Sequence, residues 1–565
     1  MYVLGVWDGH DSGAALIEDN KIVYAANEER FTRRKLEVRF PSNSIAAALR
    51  YAGLRPADIA AVSFPTTELT KTISRVFPSQ KERYYMFRRR KMLRPRLESL
   101  MHYAKYGMTS IGVLPGCREI SRAAVSRELR HLGFGDFRLY DVDHHESHAA
   151  TAAFTSGYKD ALVVTLDGLG DGLSGSVSTL ENGELRRRSA IGARDSIGIF
   201  YEQVTNILGM RELEDEGKVM AMADFSYPFD LEDNKLRDFF RVEDSKIIAK
   251  YGPIAQYDML NRIAWGTPKE QFAYMAQQLL ESVFWKFFSN LHKKYGFDNL
   301  ALAGGIFSNV KANMAIRERS GFKRIYVFPH MGDGGIALGS AMQTGYSLSG
   351  TSSYAFSDSY LGDSYSDADI EEALRKEKWL HFQKSKDKGR HAAELLGKNN
   401  YVFWFQGRFE YGPRALGNRS IIAKADSDDV KDRLNLYVKQ REWFQPFAPS
   451  VLDEDAPRLM EGIRDRNKFM TMAYRIKDDK RHLMKSVMHV DFTARPQMVG
   501  EENKNYRDML LSVRKTNGYG VVLNTSFNIH GQPIVSSPGD AIETMRKTRT
   551  RYMFIGDYFV ESKKA

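Results

Sequence analysis

The chain begins with the apolar run YVLGVW at residues 2–7, passes through the polar loop DGHDSG, and returns to apolar residues that turn at Asp19, Asn20 and Lys21. A short apolar run bounded by turn residues predicts a buried strand, and the second stretch folding back on itself predicts a hairpin. The same order recurs from Ala161. ALVVTLDGLGDGLSGSVSTLENGELRRRSA reads as strand, Asp-Gly loop, strand, and a turn at Glu181, Asn182 and Gly183. Two copies of one unit predict a duplicated α/β domain whose Asp-Gly loops face each other across a cleft.

Two later strands extend that pattern. NLALAGGIFSNVKAN and RIYVFPHMGDGGIALGSAM each run from a strand through a Gly-rich loop into a helix. Glycines there let backbone N–H groups approach phosphate, so Gly304, Gly305, Asn309 and Gly334 are expected to face a phosphate or nucleotide. Four such loops in this order predict an actin-like phosphate-handling core. Residues 347–367 are rich in Ser, Gly and Asp, lack Lys and Arg, and predict a linker. Beyond them, strands such as YVFWFQG and GYGVVLN and helices at 368–376 and 538–547 predict a second α/β region. The expected domains are therefore 1–352 and 353–565.

Composition narrows the class. A chain of 565 residues suggests two to four domains, and 43% apolar with 27% charged residues is ordinary for a globular protein. The sequence starts without a basic segment leading into an apolar one, and it contains no apolar run long enough to span a membrane. Cys117 is the single cysteine, so no internal disulfide forms and a cytoplasmic location is expected. The net charge of +11 points to polyanionic partners. Part of the excess lies between Lys71 and Lys105, where Arg88, Arg89, Arg90, Lys91, Arg94 and Arg96 interleave with Tyr84, Tyr85, Phe87 and Tyr103. Such a segment can grip phosphates and stack on bases. It also fits a basic helical insertion, over about 71–106, whose Leu93, Leu97, Leu100 and Met101 pack inward.

VDHHESHAATAAF, residues 142–154, places His144 and His148 four positions apart at the head of an alanine-rich helical run. Positions i and i+4 share a face, so both rings can address one transition metal, or they can be ordinary polar residues at a helix start.

FQGRFEYGPRALGNRS from Phe405, REWFQPFAPS from Arg441 and VVLNTSFNIHGQPIVSSP from Val521 resemble the carbamoyltransferases that act on nodulation factors, cephems and tobramycin. GHDSGAAL, NEERFTRRK, HHESHAA, LDGLGDG, EDEGKVMAMA and MGDGGIALGSA belong to the same pattern, so the resemblance covers nearly the whole chain in order. It implies an actin-like N-terminal domain similar to that of the threonylcarbamoyl-adenosine synthesis enzymes, followed by a YrdC-like domain. It also implies that the second domain makes carbamoyl adenylate from carbamoyl phosphate and ATP, with magnesium accompanying ATP. The carbamoyl group then moves to an acceptor hydroxyl at a metal in the first. Carried over residue by residue, the metal ligands are His144, His148, Asp167 and Asp333, with iron expected and manganese or zinc also suited to two nitrogen and two oxygen donors. His10 is expected to be the general base, and Asp11 to position the acceptor. Arg414, Arg419, Lys439, Arg441 and Arg495 are expected to bind phosphates, with Asn524 and Ser526 as short donors. Two positions depart from the pattern: Gln445 stands where an arginine is usual, and Phe492, where a glycine is common, is expected to narrow the adenylate pocket.

The favoured acceptor is a small hydroxylated metabolite such as a sugar. The alternative is a hydroxymethylated base in DNA, gripped through residues 88–96. An actin-like kinase has no use for the C-terminal arginines, and a non-catalytic nucleic-acid-binding protein has no use for the complete His/His/Asp/Asp set.

Overall fold

The computed structural model describes residues 1–90, 104, 107, 108 and 110–563, at 87–90 for the backbone alone. The chain divides into two compact units: residues 1–28 with 36–356, and residues 29–35 with 357–565. The division falls four residues after the expected boundary, and residues 29–35 join the second unit, which the sequence did not suggest.

The first unit holds two five-stranded sheets built alike. One contains β1 (Tyr2–Trp7), β2 (Gly13–Glu18), β3 (Lys21–Asn27), β4 (Ala61–Pro65) and β5 (Arg138–Val142), in the order β3-β2-β1-β4-β5. The hairpin pairs are antiparallel, while β1, β4 and β5 run parallel. The other contains β6 (Ala161–Gly170), β7 (Leu173–Glu181) and β8 (Glu184–Gly192), then, after the hairpin β9 (Phe240–Glu243) and β10 (Lys246–Ala249), β11 (Asn299–Ala303) and β12 (Arg324–Val327). Its order, β12-β11-β6-β7-β8, repeats the first, with β6, β11 and β12 parallel. This is the duplicated actin-like architecture the repeated motif predicts. Asp19 and Asn182 take left-handed backbone at the two hairpin turns, as short polar turn residues tolerate.

Central strands read as unbroken apolar runs because helices cover both faces. The helix Ile336–Ser349 packs on β1 and on the helix His144–Thr155, and its small residues are required. A side chain at Gly339 would fall 1.9 Å from the Ser147 carbonyl oxygen. The expected basic insertion lies in the crossover from β4 to β5, with helices Leu69–Val76 and Pro78–Arg90 at its start. Arg88 to Arg90 end the second of these, and Lys91, Arg94 and Arg96 lie outside the described residues.

The second unit is an eight-stranded mixed sheet. In spatial order its strands are Leu380–Lys384, Tyr558–Ser562, Tyr552–Ile555, Val402–Phe405, Arg419–Lys424, Val521–Ser526, Ala448–Leu452 and Gln497–Val499. Trp404, Tyr506, Phe554 and Phe559 build its core with helices Lys388–Gly397 and Lys504–Asn517. The Ser/Gly/Asp segment is not a loose linker. Tyr354 is buried in the first unit, and in the second the Tyr360 hydroxyl donates to the Leu416 carbonyl at 2.7 Å. Two tyrosines anchor a segment whose composition suggests a flexible tether.

Candidate functional site

The helix His144–Thr155 starts at Asp143, whose carboxylate accepts the Glu146 N–H at 2.9 Å. That cap sets the first turn, so His144 and His148 fall one turn apart with ring centres separated by 4.9 Å. His144 Nε2 lies 3.5 Å from both Asp167 Oδ2 and Asp333 Oδ1, and His148 Nε2 lies 3.5 Å from Asp333 Oδ1. One donor atom from each of the four residues falls within 4.8 Å of all the others. Both histidines are buried, and each Nε2 lacks a hydrogen-bond partner among the described residues.

Those spacings fit a shared cation. Donors about 2.1 Å from one ion stand about 3.0–3.4 Å apart, whereas direct hydrogen bonds would draw them closer. Two carboxylates and two imidazoles buried together also need positive charge. Burial alone would lower the His144 pKa, but Asp333 and Asp167 raise it to about 10. Burial would raise the Asp333 pKa, yet His10, His144 and His148 hold it well below the usual carboxylate range. The residues present therefore fit a divalent metal.

Supporting contacts came from residues outside the predicted set. His144 Nδ1 bonds Thr66 Oγ1 at 2.9 Å, which directs Nε2 at the cluster. Thr66 has φ +70°, an uncommon backbone for a β-branched residue, held by Arg75 Nη1 donating to its carbonyl at 2.6 Å. Asp171, the second aspartate of DGLGDG, accepts the His144, Thr67 and Glu68 N–H groups. Burial and Asp171 push the Glu68 carboxyl up to about 8. Asp8 is buried between Lys71 at 2.9 Å and Arg75 at 3.0 Å, which ties the helix Leu69–Val76 to the loop carrying His10. The second aspartate of DGLGDG is visible as a motif; Thr66 and the partners of Asp8 carry no sequence signal.

His10 joins this group, with Nδ1 3.5 Å from Asp333 Oδ2 and its ring 6.1 Å from that of Tyr85. Asp11 has left-handed backbone, and its Oδ2 lies 3.7 Å from His330 Nε2. A side chain at Gly334 would stand 2.3 Å from Asp11 Oδ2, so the glycine admits the aspartate. Gly304, at φ +113°, passes so close to β6 that a Cβ would fall 2.0 Å from the Leu166 carbonyl oxygen. Two expected phosphate contacts are spent elsewhere. The Gly305 N–H donates to Asp167 Oδ1 at 2.7 Å, and Asn309 caps the helix Val310–Arg319 while donating to Gln277. Both position the scaffold.

The second unit carries the opposite charge pattern. Arg414, Arg441 and Arg495 are partly open to solvent, and the Nε atoms of Arg414 and Arg495 are buried without a hydrogen-bond partner among the described residues. Burial, then Arg414 and Arg441, depress the Arg495 pKa well below its ordinary value. Burial alone lowers Arg414 to about 10. A guanidinium nonetheless keeps its charge, so this cluster suits an anion. Lys439, buried at the end of the π-helix Leu434–Lys439, donates to Ser526 O and Oγ and to Asn528 O and Oδ1 at 2.6–3.1 Å. Ser526 thus sits beside it.

Two expectations in this unit are corrected. Arg419 is not a phosphate ligand: Nη1 and Nη2 donate to the Gln406, Gly407, Asn418 and Ser536 carbonyls, and the guanidinium stacks on Phe405 at 3.6 Å. Asn524 is no donor to a ligand, because its Nδ2 donates to Ala415 O, Ser450 Oγ and Gln497 Oε1. Phe492 is 44% exposed under the Arg481 guanidinium, and its φ of +63° is the physical reason a glycine suits the position. Gln445 is buried and donates to Glu442 Oε2 at 2.7 Å.

Comparison with known proteins follows this geometry. Residues 2–342 match the family described as carbamoyltransferase N-terminus, and residues 393–562 match carbamoyltransferase C-terminus. A Methanocaldococcus jannaschii protein designated MJ1058 is 36% identical over 79% of this chain and 77% of its own length. Nodulation protein NolNO of Sinorhizobium fredii is 30% identical over 98% of this chain and 79% of its own. Nodulation protein NolO of Bradyrhizobium diazoefficiens is 33% identical over 75% and 79%. Among solved structures, full-length HypF in its phosphate- and nucleotide-bound form aligns over 62% of this chain and 47% of its own, at 14% identity and a TM-score of 0.36. That likeness adds nothing to the topology above.

Proposed function

The chain belongs to the carbamoyltransferase family, whose members are transferases, and on that premise we propose a two-step O-carbamoyl transfer divided between its two units. In the second unit, water cleaves carbamoyl phosphate to carbamate and phosphate. A carbamate oxygen then attacks the α-phosphorus of ATP and displaces pyrophosphate, leaving carbamoyl adenylate. The observation that supports this most is the group Arg414, Arg441 and Arg495, which gathers three guanidiniums where highly charged phosphates would bind. Lys439 Nζ, held by four oxygens of Ser526 and Asn528, braces the adjoining loop, and magnesium would accompany ATP.

In the first unit the acceptor hydroxyl attacks the carbamoyl carbon and AMP leaves. His10 takes the hydroxyl proton, and Asp333 beside it stabilises the resulting imidazolium. Asp11 orients the acceptor. His144, His148, Asp167 and Asp333 would hold a divalent ion, iron by resemblance, which when bound supplies Lewis-acid polarisation of the carbonyl.

The proposed acceptor is a small hydroxylated metabolite such as a sugar. A hydroxymethylated base in DNA is the second reading. The helix Pro78–Arg90 brings Tyr85 to His10 and runs on into the basic segment, so a polynucleotide held there would lie beside the base. Among the described residues no helix is long and apolar enough to cross a membrane.

The test is incubation with ATP, carbamoyl phosphate and either methyl glycosides or hydroxymethylcytosine DNA, followed by mass spectrometry of acceptor and nucleotide. Gain of one carbamoyl group with release of AMP and pyrophosphate is expected. Release of ADP with a phosphorylated acceptor would point to a kinase instead.

A further inference from the structure

Residues 29–35 lie in sequence between β3 and the helix Ser42–Ala52 of the first unit, yet they fold with the second. Their side chains explain why. Arg33 donates from Nη1 to the Ile534 carbonyl at 2.7 Å and from Nη2 to the Pro533 carbonyl at 3.0 Å, and its Nε lies 3.3 Å from Asp540 Oδ1. Arg30 is buried and donates from Nη2 to the Gly412 carbonyl at 2.9 Å. Arg33 and Leu36 both take left-handed backbone, at φ +59° and +50°, so the segment is sharply bent on either side of Arg34 and Lys35. Side chains rarely adopt that conformation without contacts that hold them in it.

Both arginines grip loops that carry the anion site. Immediately before Pro533, the Gln532 carbonyl accepts from Asn528 Nδ2 at 2.6 Å, and Asn528 Oδ1 in turn accepts from Lys439 Nζ at 2.6 Å. Asp540 Oδ2 accepts the Ser536 and Ser537 N–H groups, which closes the far end of the same loop. Gly412 stands two residues before Arg414. The loop beyond it is gathered by Glu410 Oε1, which accepts the Leu416, Asn418 and Arg419 N–H groups.

We propose that residues 29–35 form a strap that completes the anion site of the second unit, with Arg33 and Arg30 as positioning residues for Lys439 and Arg414. The proposal rests on the reading above that this site binds carbamoyl phosphate and ATP. Arg33 fixes the Pro533–Ile534 turn, the turn fixes the Gln532 carbonyl, and that carbonyl fixes the Asn528 amide facing Lys439. A shift of about 1 Å in groups that align reactants can lower rate a hundredfold, so loosening this chain of contacts should show in substrate affinity and rate.

The experiment uses the full chain and carbamoyl-phosphate-dependent ATP–pyrophosphate exchange. Arg33→Ala should raise KM for carbamoyl phosphate about tenfold or more, with metal content unchanged. Arg33→Lys should fall between the two, because an ammonium reaches one carbonyl but cannot bridge three acceptors. Arg30→Gln should raise the same KM. A merely structural strap would lower the melting temperature and leave KM alone, and that result overturns the proposal. Should Arg33→Ala fail to fold, a wild-type KM in Arg33→Lys overturns it equally. If wild type shows no exchange, the proposed reaction is wrong. The strap is then decided by calorimetric affinity for pyrophosphate, which should fall in Arg33→Lys; equal affinity in both proteins overturns it.

Discussion

The two units assemble polar side chains of opposite kinds. Around His144 the first unit gathers carboxylates and imidazoles, with two buried Nε2 atoms that have no hydrogen-bond partner among the described residues. Around Arg495 the second gathers guanidiniums, with the buried Lys439 amine near Arg441 pushed toward its neutral form by burial. Each arrangement is unfavourable by itself, because like charges are buried without enough of the opposite sign. Each would become favourable if a ligand supplied that sign, a cation in one unit and phosphates in the other. Under the proposed reaction each half-reaction belongs to its own unit, so single substitutions should separate them.

Arg495→Ala should have the largest effect. Removing one guanidinium that contacts phosphate in a desolvated site costs about 2–5 kcal/mol, so carbamoyl-phosphate-dependent exchange should fall by about thirtyfold or more. Metal content, measured by elemental analysis, should match wild type. Retained exchange would remove Arg495 from the adenylate site. His144→Ala is the converse: it should lose stoichiometric metal yet keep the exchange reaction. Metal bound at one equivalent in that variant would mean His144 is no ligand.

Legibility in the sequence followed the same contrast. The clustering of His144, His148, Asp167 and Asp333 was readable because each sits in a short motif whose neighbours fix it: an N-cap before His144, a glycine behind Asp167, a Gly-rich turn at Asp333. The duplicated sheet order was readable because a strand, an Asp-Gly loop and a turn recur. Arg419 misled because it lies in the same GPRALGNRS motif as Arg414, and a motif does not say which side chains turn inward to carbonyls. Asn524 misled in the same way, since its three acceptors come from distant parts of the chain. The strap at 29–35 was hidden because its partners lie hundreds of residues away, 382 between Arg30 and Gly412 and 501 between Arg33 and Ile534. Periodicity reports local structure and carries no record of such pairings.

Thr66→Gly sharpens the account of the metal-facing group at intermediate magnitude. Loss of the hydroxyl leaves His144 Nδ1 without its partner, and outer contacts of this kind typically change metal affinity 10- to 100-fold. Glycine also relaxes the left-handed backbone at φ +70°. Metal affinity should therefore drop while the melting temperature of the metal-free protein holds or rises. A parallel fall in both would make Thr66 a packing residue without a part in aiming the imidazole.

The smallest expected effect belongs to Phe492→Gly, which asks whether that residue shapes the adenylate site. The ring is 44% exposed and stacked under Arg481 at 3.6 Å, so its removal loses one surface cation–π contact of about 0.5–1 kcal/mol. Against that stands relief of a non-glycine residue at φ +63°, about 1–2 kcal/mol. The balance favours glycine by about 1.5 kcal/mol at most, or about 3–6 °C for a unit of this size. KM for ATP should stay at the wild-type value because the ring faces solvent and the Arg414, Arg441 and Arg495 group is untouched. A changed KM for ATP would return Phe492 to the pocket wall and show that the arginine group reaches farther toward the surface than its buried Nε atoms indicate.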